Sequence, residues 1–281
     1  MKSKGIVKVR LRGGLGNQLF QIAAATCLAK ACKVPMKVNC RDLDNSSDPS
    51  KRNFLPVIIL NDIFNFSQLH FSLVSENSLA NSLYHRFGKV INGDEISKTV
   101  DLRRVIDSQT AAKYRLNGFF QELKFVEGSI RSNPKVTLVD VRPEVTKMCK
   151  TVKEENVITL HIRLGDFVVN GLDVLSKDYF NSAILEFVSE RGNSDSKVLV
   201  FSDDIRAAQS MMHEMHEMHE LIFPEMICPL SPAELLYVLS ESRSLVLSKS
   251  TLAWWAGYLG HLNGNRIWSP WPKQFDIAQG I

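Results

Sequence analysis

Between Thr159 and Phe167 the chain reads Thr159-Leu160-His161-Ile162-Arg163-Leu164-Gly165-Asp166-Phe167, an apolar run that ends abruptly in charge. Val157 to Ile162 has the length and near-continuous apolar character of a strand buried on both faces of a parallel sheet. Arg163 follows at once. Its guanidinium is planar, stays charged near neutral pH and can take two oxygens of a phosphate together. Gly165 allows a sharp turn after the strand. Asp166 can hold the arginine or cap the next segment. Open α/β sheets bind ligands beyond the carboxyl ends of their strands, which makes Arg163 a candidate phosphate ligand. A surface Arg–Asp pair at a strand end explains the same spacing without any ligand.

Two further strand ends in this half carry polar clusters. Lys197 to Phe201 reads as a strand closed by Ser202-Asp203-Asp204, and Ser244 to Leu247 as one closed by Ser248-Lys249-Ser250-Thr251. Helices are expected at 178–191, from Ile205 to about Glu220, at 231–241 behind the Ser231-Pro232 start signal, and from Ser248 to about His261. Leu221 to Ile227 and Arg266 to Trp268 read as short strands. Alternating β and α segments imply an α/β fold with a parallel sheet, so the three polar ends converge on one edge. Each cluster also has a structural reading, since Asp203, Asp204, Ser250 and Thr251 are all helix-capping residue types.

In the first half, Ile6 to Leu11 alternates as a strand. Gly13, Gly14 and Gly16 follow, then an Ala- and Leu-rich helix at 18–33 and a strand from Val34 to Asn39. This is a βαβ unit with a glycine turn at its first crossing. Leu19 stands where a dinucleotide fingerprint needs its third glycine, and no G-K-[ST] occurs, so the turn is no standard cofactor cradle. Either the glycines only turn the chain, or they bring backbone amides and Asn17 close to a ligand. Residues 42–53 read as a loop, and 54–112 as helices and loops of poor signal. A helix and connector follow at 125–140. A charged helix at 142–155 bridges to the second half, with the domain boundary near residue 152.

The chain has 281 residues, a net charge of +4 and 44% hydrophobic residues, the proportions of a soluble globule of one large or two modest domains. Such mild charge gives no reason to expect a nucleic-acid partner. Five cysteines without a C-x-x-C read as unbridged thiols in a reducing compartment. No eighteen-residue apolar run or signal-peptide core is present. His213, His216 and His219 form a partial helical stripe that reads as solvated surface, although His213 and His216 could hold a metal. Trp254 and Trp255 read as core aromatics.

His161 to Asp166 resembles the H-x-R-x-G-D motif of fucosyltransferases that use GDP-fucose. With Gly13 to Ala23 (GGLGNQLFQIA), Phe201 to Asp204 (FSDD) and Ser248 to Leu259 (SKSTLAWWAGYL), the chain resembles the α-1,2-fucosyltransferases of glycosyltransferase family 11 over nearly its whole length. Asn117 to Glu122 is similar to that family's G-Y/F-F-Q segment. The resemblance implies a GT-B type fold, two Rossmann-like domains facing across a cleft, with 1–152 mainly on the acceptor side and 153–281 holding GDP-fucose. It implies inverting transfer of L-fucose from GDP-β-L-fucose to a galactose hydroxyl of an oligosaccharide or glycolipid, as in lipopolysaccharide or O-antigen synthesis. Arg163 and Asn17 are then the catalytic candidates. Gly14, His161, Arg163, Asp166, Ser202, Asp203, Asp204, Ser250 and Thr251 are the donor-binding ones. No metal or other cofactor is implied, because arginine supplies the charge. Asp166, Asp173 and Glu122 are all open as general base, and none is assigned. The resemblance also implies a bacterial, cytoplasmic enzyme with at most peripheral membrane contact. Two departures stand out. Leu164 replaces a second arginine, removing a supporting charge, and Lys249 replaces an asparagine. The alternatives are a fucosyltransferase of another linkage, or a non-catalytic nucleotide- or carbohydrate-binding module.

Overall fold

The computed structural model describes residues 5–44, 47–48, 51–67, 69, 71–74, 89–92, 113–191, 196–213, 219–271 and 275. The chain divides into two compact units, one gathering Met1–Pro56 and Leu60–Ser132, the other Val57–Ile59 and Asn133–Phe275.

The first unit is built on β1 (Ile6–Arg10), β2 (Met36–Asn39), β3 (Phe71–Val74), β4 (Lys89–Asn92) and β5 (Lys113–Asn117), in the order β3-β2-β1-β5-β4. All four pairings are parallel. Helix α1 (Leu15–Cys32) is apolar nearly all round and buries Leu19, Ile22, Ala25 and Leu28, as a helix enclosed by its own domain must. It stops at Lys33, whose φ of 53° closes the last turn by bonding back to Ala29 and Lys30, just before Pro35. Val7 and Val9 of β1, Met36 and Val38 of β2, and Tyr114 and Leu116 of β5 are buried in alternation.

Strands β3 and β4 fall in the region expected to hold helices and loops, and the short helices α2 (Arg41–Asp44) and α3 (Leu60–Ile63) are also present. β3 and β4 are four-residue edge strands. A segment that short offers too few alternations to stand out from a loop. The expected helix at 125–140 is the short α4 (Leu123–Glu127), followed by connector.

The second unit carries β6 (Val157–Ile162), β7 (Lys197–Ser202), β8 (Glu220–Ile222), β9 (Ser244–Val246) and β10 (Arg266–Trp268), in the order β10-β9-β6-β7-β8, again all parallel. Six of six β6 residues are buried, which explains the near-continuous apolar run in the sequence. The helices are α5 (Pro143–Thr151), α6 (Gly165–Val169), α7 (Lys177–Arg191), α8 (Ile205–Met211), α9 (Pro232–Ser240) and α10 (Thr251–Leu262). Ile158, Leu160, Ile162, Leu164, Phe180, Ile184, Val198, Val200 and Val246 share one apolar core.

Helix α5 belongs to this unit, whose main segment begins at Asn133. The reason is its contacts with other elements of the same unit. Arg142 at its N-cap pairs with Glu234 of α9 at 2.6 Å, and the Arg243 amide donates to Val152 O at 3.0 Å. Helix α8 is shorter than expected and ends at Met211. His216 lies outside the described residues. β8 stops at Ile222, two residues before Pro224, which cannot donate to a ladder and opens a 3-10 turn at Pro224–Met226.

In each unit the first strand is central and the strand order reverses beside it. The reversal lies between β1 and β5 in one unit and between β6 and β9 in the other. Such switch points are where doubly wound sheets open a ligand crevice.

Leu164 is 3% exposed and packs in the second unit's core, so it has an apolar packing role besides the absence of a charge. Leu164→Ala should lose about 2–5 kcal/mol through the cavity it leaves. Denaturant unfolding measures this, and a loss no larger than that of a surface substitution contradicts the core assignment.

Candidate active site

The second unit's site starts at its switch point. His161, in β6, is 3% exposed. Its Nδ1 lies 2.6 Å from Oγ of Ser248, which follows β9, and the two share a hydrogen bond across the reversal. Burial, with the Arg163 charge beside it, pushes the His161 pKa down to about 3, so the ring is neutral at physiological pH.

Arg163 leaves the strand and lies between two carboxylates. Its Nη2 donates to Asp166 Oδ1 at 2.6 Å, and its Nη1 lies 3.2 Å from Asp203 Oδ2. The guanidinium also stands over the Phe167 ring at 5.6 Å. The two carboxylates differ in setting. The Asp166 side chain is 53% exposed, that of Asp203 24%. Asp203 is further fixed because its Oδ1 accepts from the Leu164 amide at 2.9 Å. One aspartate therefore holds both the arginine and the backbone just after it.

Gly165 has a reason beyond the sharp turn expected of it. A Cβ there would meet Asp203 Oδ2 at 2.6 Å. Glycine is needed for the close approach of Asp203.

The remaining candidates separate by role. Asp204 caps α8, accepting from the Ala207 amide at 3.0 Å. Ser202 Oγ accepts from the Asp204 amide and donates to its carbonyl, both at 3.1 Å, which ties the turn together. Ser250 occupies the N-cap of α10, but its side chain makes no capping bond, and no acidic residue lies in the helix's first turn. The hydroxyls of Ser250 and Thr251 thus stand at a helix end that favours anions. Lys249 pairs with Asp173. Trp254 and Trp255 are fully buried, with Trp254 Nε1 donating to Phe275 O at 3.0 Å, so they are core.

Sequence reading passed over Glu225. This residue sits on the turn after β8, and its Oε2 accepts from the Ser202 amide at 3.2 Å. Burial and the nearby Asp203 raise its pKa to about 7, against the opposing effect of its backbone hydrogen bonds. A Pro-Glu pair after a short apolar run carries no sequence signal of such a contact.

The first unit has its own cluster at its own switch point. The Gly-rich turn follows β1, and Gly118 to Gln121 follows β5. Asn17 Oδ1 accepts from Gln121 Nε2 at 2.7 Å, joining the two. The Arg12 guanidinium lies over the Phe119 ring at 5.0 Å. Gly13 takes a φ of +78°, and a Cβ there would also press on Asn17 and Phe119. Phe120, buried and not glycine, is held at a φ of 55°, the kind of stored backbone strain that persists only where surrounding contacts impose it. Gly14 is the N-cap of α1. Glu122 pairs with Lys124 at 2.6 Å.

The model of Glycosyl transferase family 11 matches residues 109–271. The chain belongs to glycosyl transferase family 11. It is a glycosyltransferase, with the two α/β units of the GT-B type expected from sequence. Among curated relatives of this family 11 member, the O-antigen biosynthesis glycosyltransferase WbnK of Escherichia coli is 22% identical, covering 92% of each chain. An alpha-1,2-colitosyltransferase of Escherichia coli is 23% identical, covering 90% of this chain and 87% of that one. A solved structure of POFUT1 in complex with GDP-fucose superposes with a TM-score of 0.57 at 12% identity, covering 96% of this chain and 99% of that one. Fucosyltransferase NodZ from Bradyrhizobium gives 0.51 at 15%, covering 89% and 90%. Identities this low carry the fold and not the substrate. No helix among the described residues is long and apolar enough to cross a membrane.

Gly165→Ala should displace Asp203 and loosen both its bonds, while Asp204→Ala should cost only the α8 cap, about 1 kcal/mol. The check is nucleotide affinity beside thermal stability. Gly165→Ala should weaken affinity and Asp204→Ala mainly stability, and the reverse pattern contradicts the assignment of these neighbours.

Proposed function

We propose that the enzyme transfers L-fucose from GDP-β-L-fucose to a galactose hydroxyl of a glycan, forming an α-1,2 linkage with inversion. The observation that carries this reading is Arg163, held by Asp203 at the carboxyl end of β6, the strand next to β9, which leads into α10. It is an anion site at a switch point of a family 11 fold.

In this reading the acceptor hydroxyl attacks the sugar's C1 in line as the bond from C1 to the β-phosphate oxygen breaks, GDP departs with negative charge growing on that phosphate, and the hydroxyl's proton passes to the departing phosphate or to water. Fixed positive charge aimed at that oxygen lowers the barrier more than it stabilises the bound donor. Arg163 supplies it. An exposed ion pair is worth at most about 1 kcal/mol, so a phosphate exchanges with Asp166 at little cost while Asp203 keeps its hold. Ser250, Thr251 and the α10 N-terminus take further phosphate oxygens. Neutral His161, fixed by Ser248, reads the nucleoside together with the Ser202 and Asp203 turn. Gly14 and Asn17 keep the donor and catalytic roles that their motif implies. Arginine charge makes a divalent cation unnecessary, so activity should survive chelation by EDTA.

The acceptor we infer is a bacterial surface glycan at the inner face of the membrane, in line with the WbnK relative's O-antigen name. The colitosyltransferase relative favours one second reading, the same linkage with a colitosyl donor. Incubating GDP-fucose and GDP-colitose separately with galactosides, with NMR of the product linkage, decides between them. Transfer of neither sugar overturns the reading.

Arg163→Lys should stay folded and lose about a hundredfold in kcat, because lysine keeps the charge but not the two-pronged geometry. If Arg163 only paired with a surface aspartate, lysine would serve nearly as well. Steady-state kinetics with circular dichroism on the same sample decides, and a kcat within about threefold of wild type removes Arg163 from the mechanism.

A further inference from the structure

We propose that Glu225 is a positioning residue of the donor site: its carboxylate holds the end of β7 so that Asp203 can grip Arg163 and the Leu164 amide. The proposal rests on the fucosyl-donor reading above and extends it to a residue outside every recognised motif.

The argument begins with an accounting of backbone groups. β8 pairs with β7 only as far as Ile222 opposite Leu199, while β7 continues to Ser202. Ser202 is 6% exposed, and β8 offers its amide no partner at that height. A buried amide left unpaired costs about 1–3 kcal/mol. The turn at Pro224–Met226 brings Glu225 back to it, and Oε2 accepts from that amide at 3.2 Å. The same carboxylate accepts a backbone hydrogen bond from Leu230, just before the Ser231 cap of α9. One side chain thus fastens the strand end to the loop between β8 and α9.

Asp203 is the next residue after that fastening. Its two oxygens are committed to the Leu164 amide and to Arg163. Its place is set closely enough that no Cβ fits at Gly165. A shift of the β7 end moves Asp203, and with it the guanidinium. Small misplacements of such groups are costly to a reaction that depends on alignment. The charged group acting on Glu225 is Asp203, and its hydrogen-bond donors are the Ser202 and Leu230 amides. The repulsion from Asp203 and the burial both favour the protonated acid, in the direction seen for its pKa of about 7.

Linkage gives an independent sign. A carboxyl whose folded pKa of about 7 lies above its ordinary 4.5 binds a proton more tightly in the folded state. Its contribution to stability is therefore greatest below pH 4.5 and falls as pH rises to about 7. Glu225→Gln should remove that segment of the pH–stability curve.

The experiment measures GDP affinity by calorimetry and donor KM and kcat by steady-state kinetics, for wild type, Glu225→Ala and Glu225→Gln. Glu225→Ala should weaken GDP, raise donor KM and lower kcat, each about tenfold, because the displaced guanidinium serves both the bound donor and the transition state, and Glu225→Gln, which retains an acceptor oxygen, should stay within about threefold in all three. A merely structural role would instead lower the active fraction and leave KM unchanged. Glu225→Ala with unaltered GDP affinity and KM overturns the proposal, and so does Glu225→Gln as impaired as Glu225→Ala. Wild type that binds no GDP overturns the donor reading and this proposal with it. Wild type that binds GDP beside an unaffected Glu225→Ala overturns this proposal alone. Should Glu225→Ala fail to fold, Glu225→Asp shortens the reach to Ser202 while keeping the charge, and the same KM rise is expected of it.

Discussion

Asp203 accepts a hydrogen bond from the Leu164 amide with one oxygen and meets the Arg163 guanidinium with the other. These two contacts make the end of β6 and the end of β7 a single rigid object. The backbone after β6 would otherwise leave the sheet freely, because α6 buries none of its residues. Leu164 turns inward to the core, and Arg163 remains at the surface between its carboxylates. The phosphate chemistry proposed for this enzyme depends on that fixed guanidinium. A charge that need not reorganise is worth more in a transition state than one that must be gathered.

The same economy recurs in the other unit with different atoms. There the glycine turn after β1 and the segment after β5 are joined by Asn17 and Gln121, across a reversal of strand order. In the second unit His161 and Ser248 join β6 to the segment after β9 in the equivalent way. Both bridges link segments far apart in sequence, so each forms only when its sheet is assembled. Uncharged groups make both bridges, two side-chain amides in one and a neutral imidazole with a hydroxyl in the other.

Much of this was legible beforehand. β6 declares itself because all its residues are buried and four of the six are apolar, and the cluster after it follows from where strands end in parallel sheets. Helix α9 declares itself through Ser231 and Pro232 at its start, and the structure adds a capping box between Ser231 and Glu234. β3 and β4 were hidden because four residues at a sheet edge carry hardly any period. The unit in which α5 packs was hard to read because its three buried residues Val145, Met148 and Cys149 are too few to announce a partner. Glu225 was invisible for another reason. Its importance lies in an amide left over by the early end of β8, and no local pattern records what a distant strand fails to supply. Asp203 and Asp204 look alike in sequence, yet one grips the arginine and the other caps a helix.

The aromatic residues have an optical consequence. All four tryptophans, Trp254, Trp255, Trp268 and Trp271, belong to the second unit. Indole emission therefore watches one half of the chain and is blind to the other. Trp254 sits one turn into α10, its amide bonded to the Ser250 carbonyl, and its ring stacks on Tyr258 at 4.9 Å. The molecule thus carries its own fluorophore near the helix end proposed to meet phosphate, shielded from solvent and free of any added label. Comparing its emission with whole-chain circular dichroism separates the melting of one unit from that of the other.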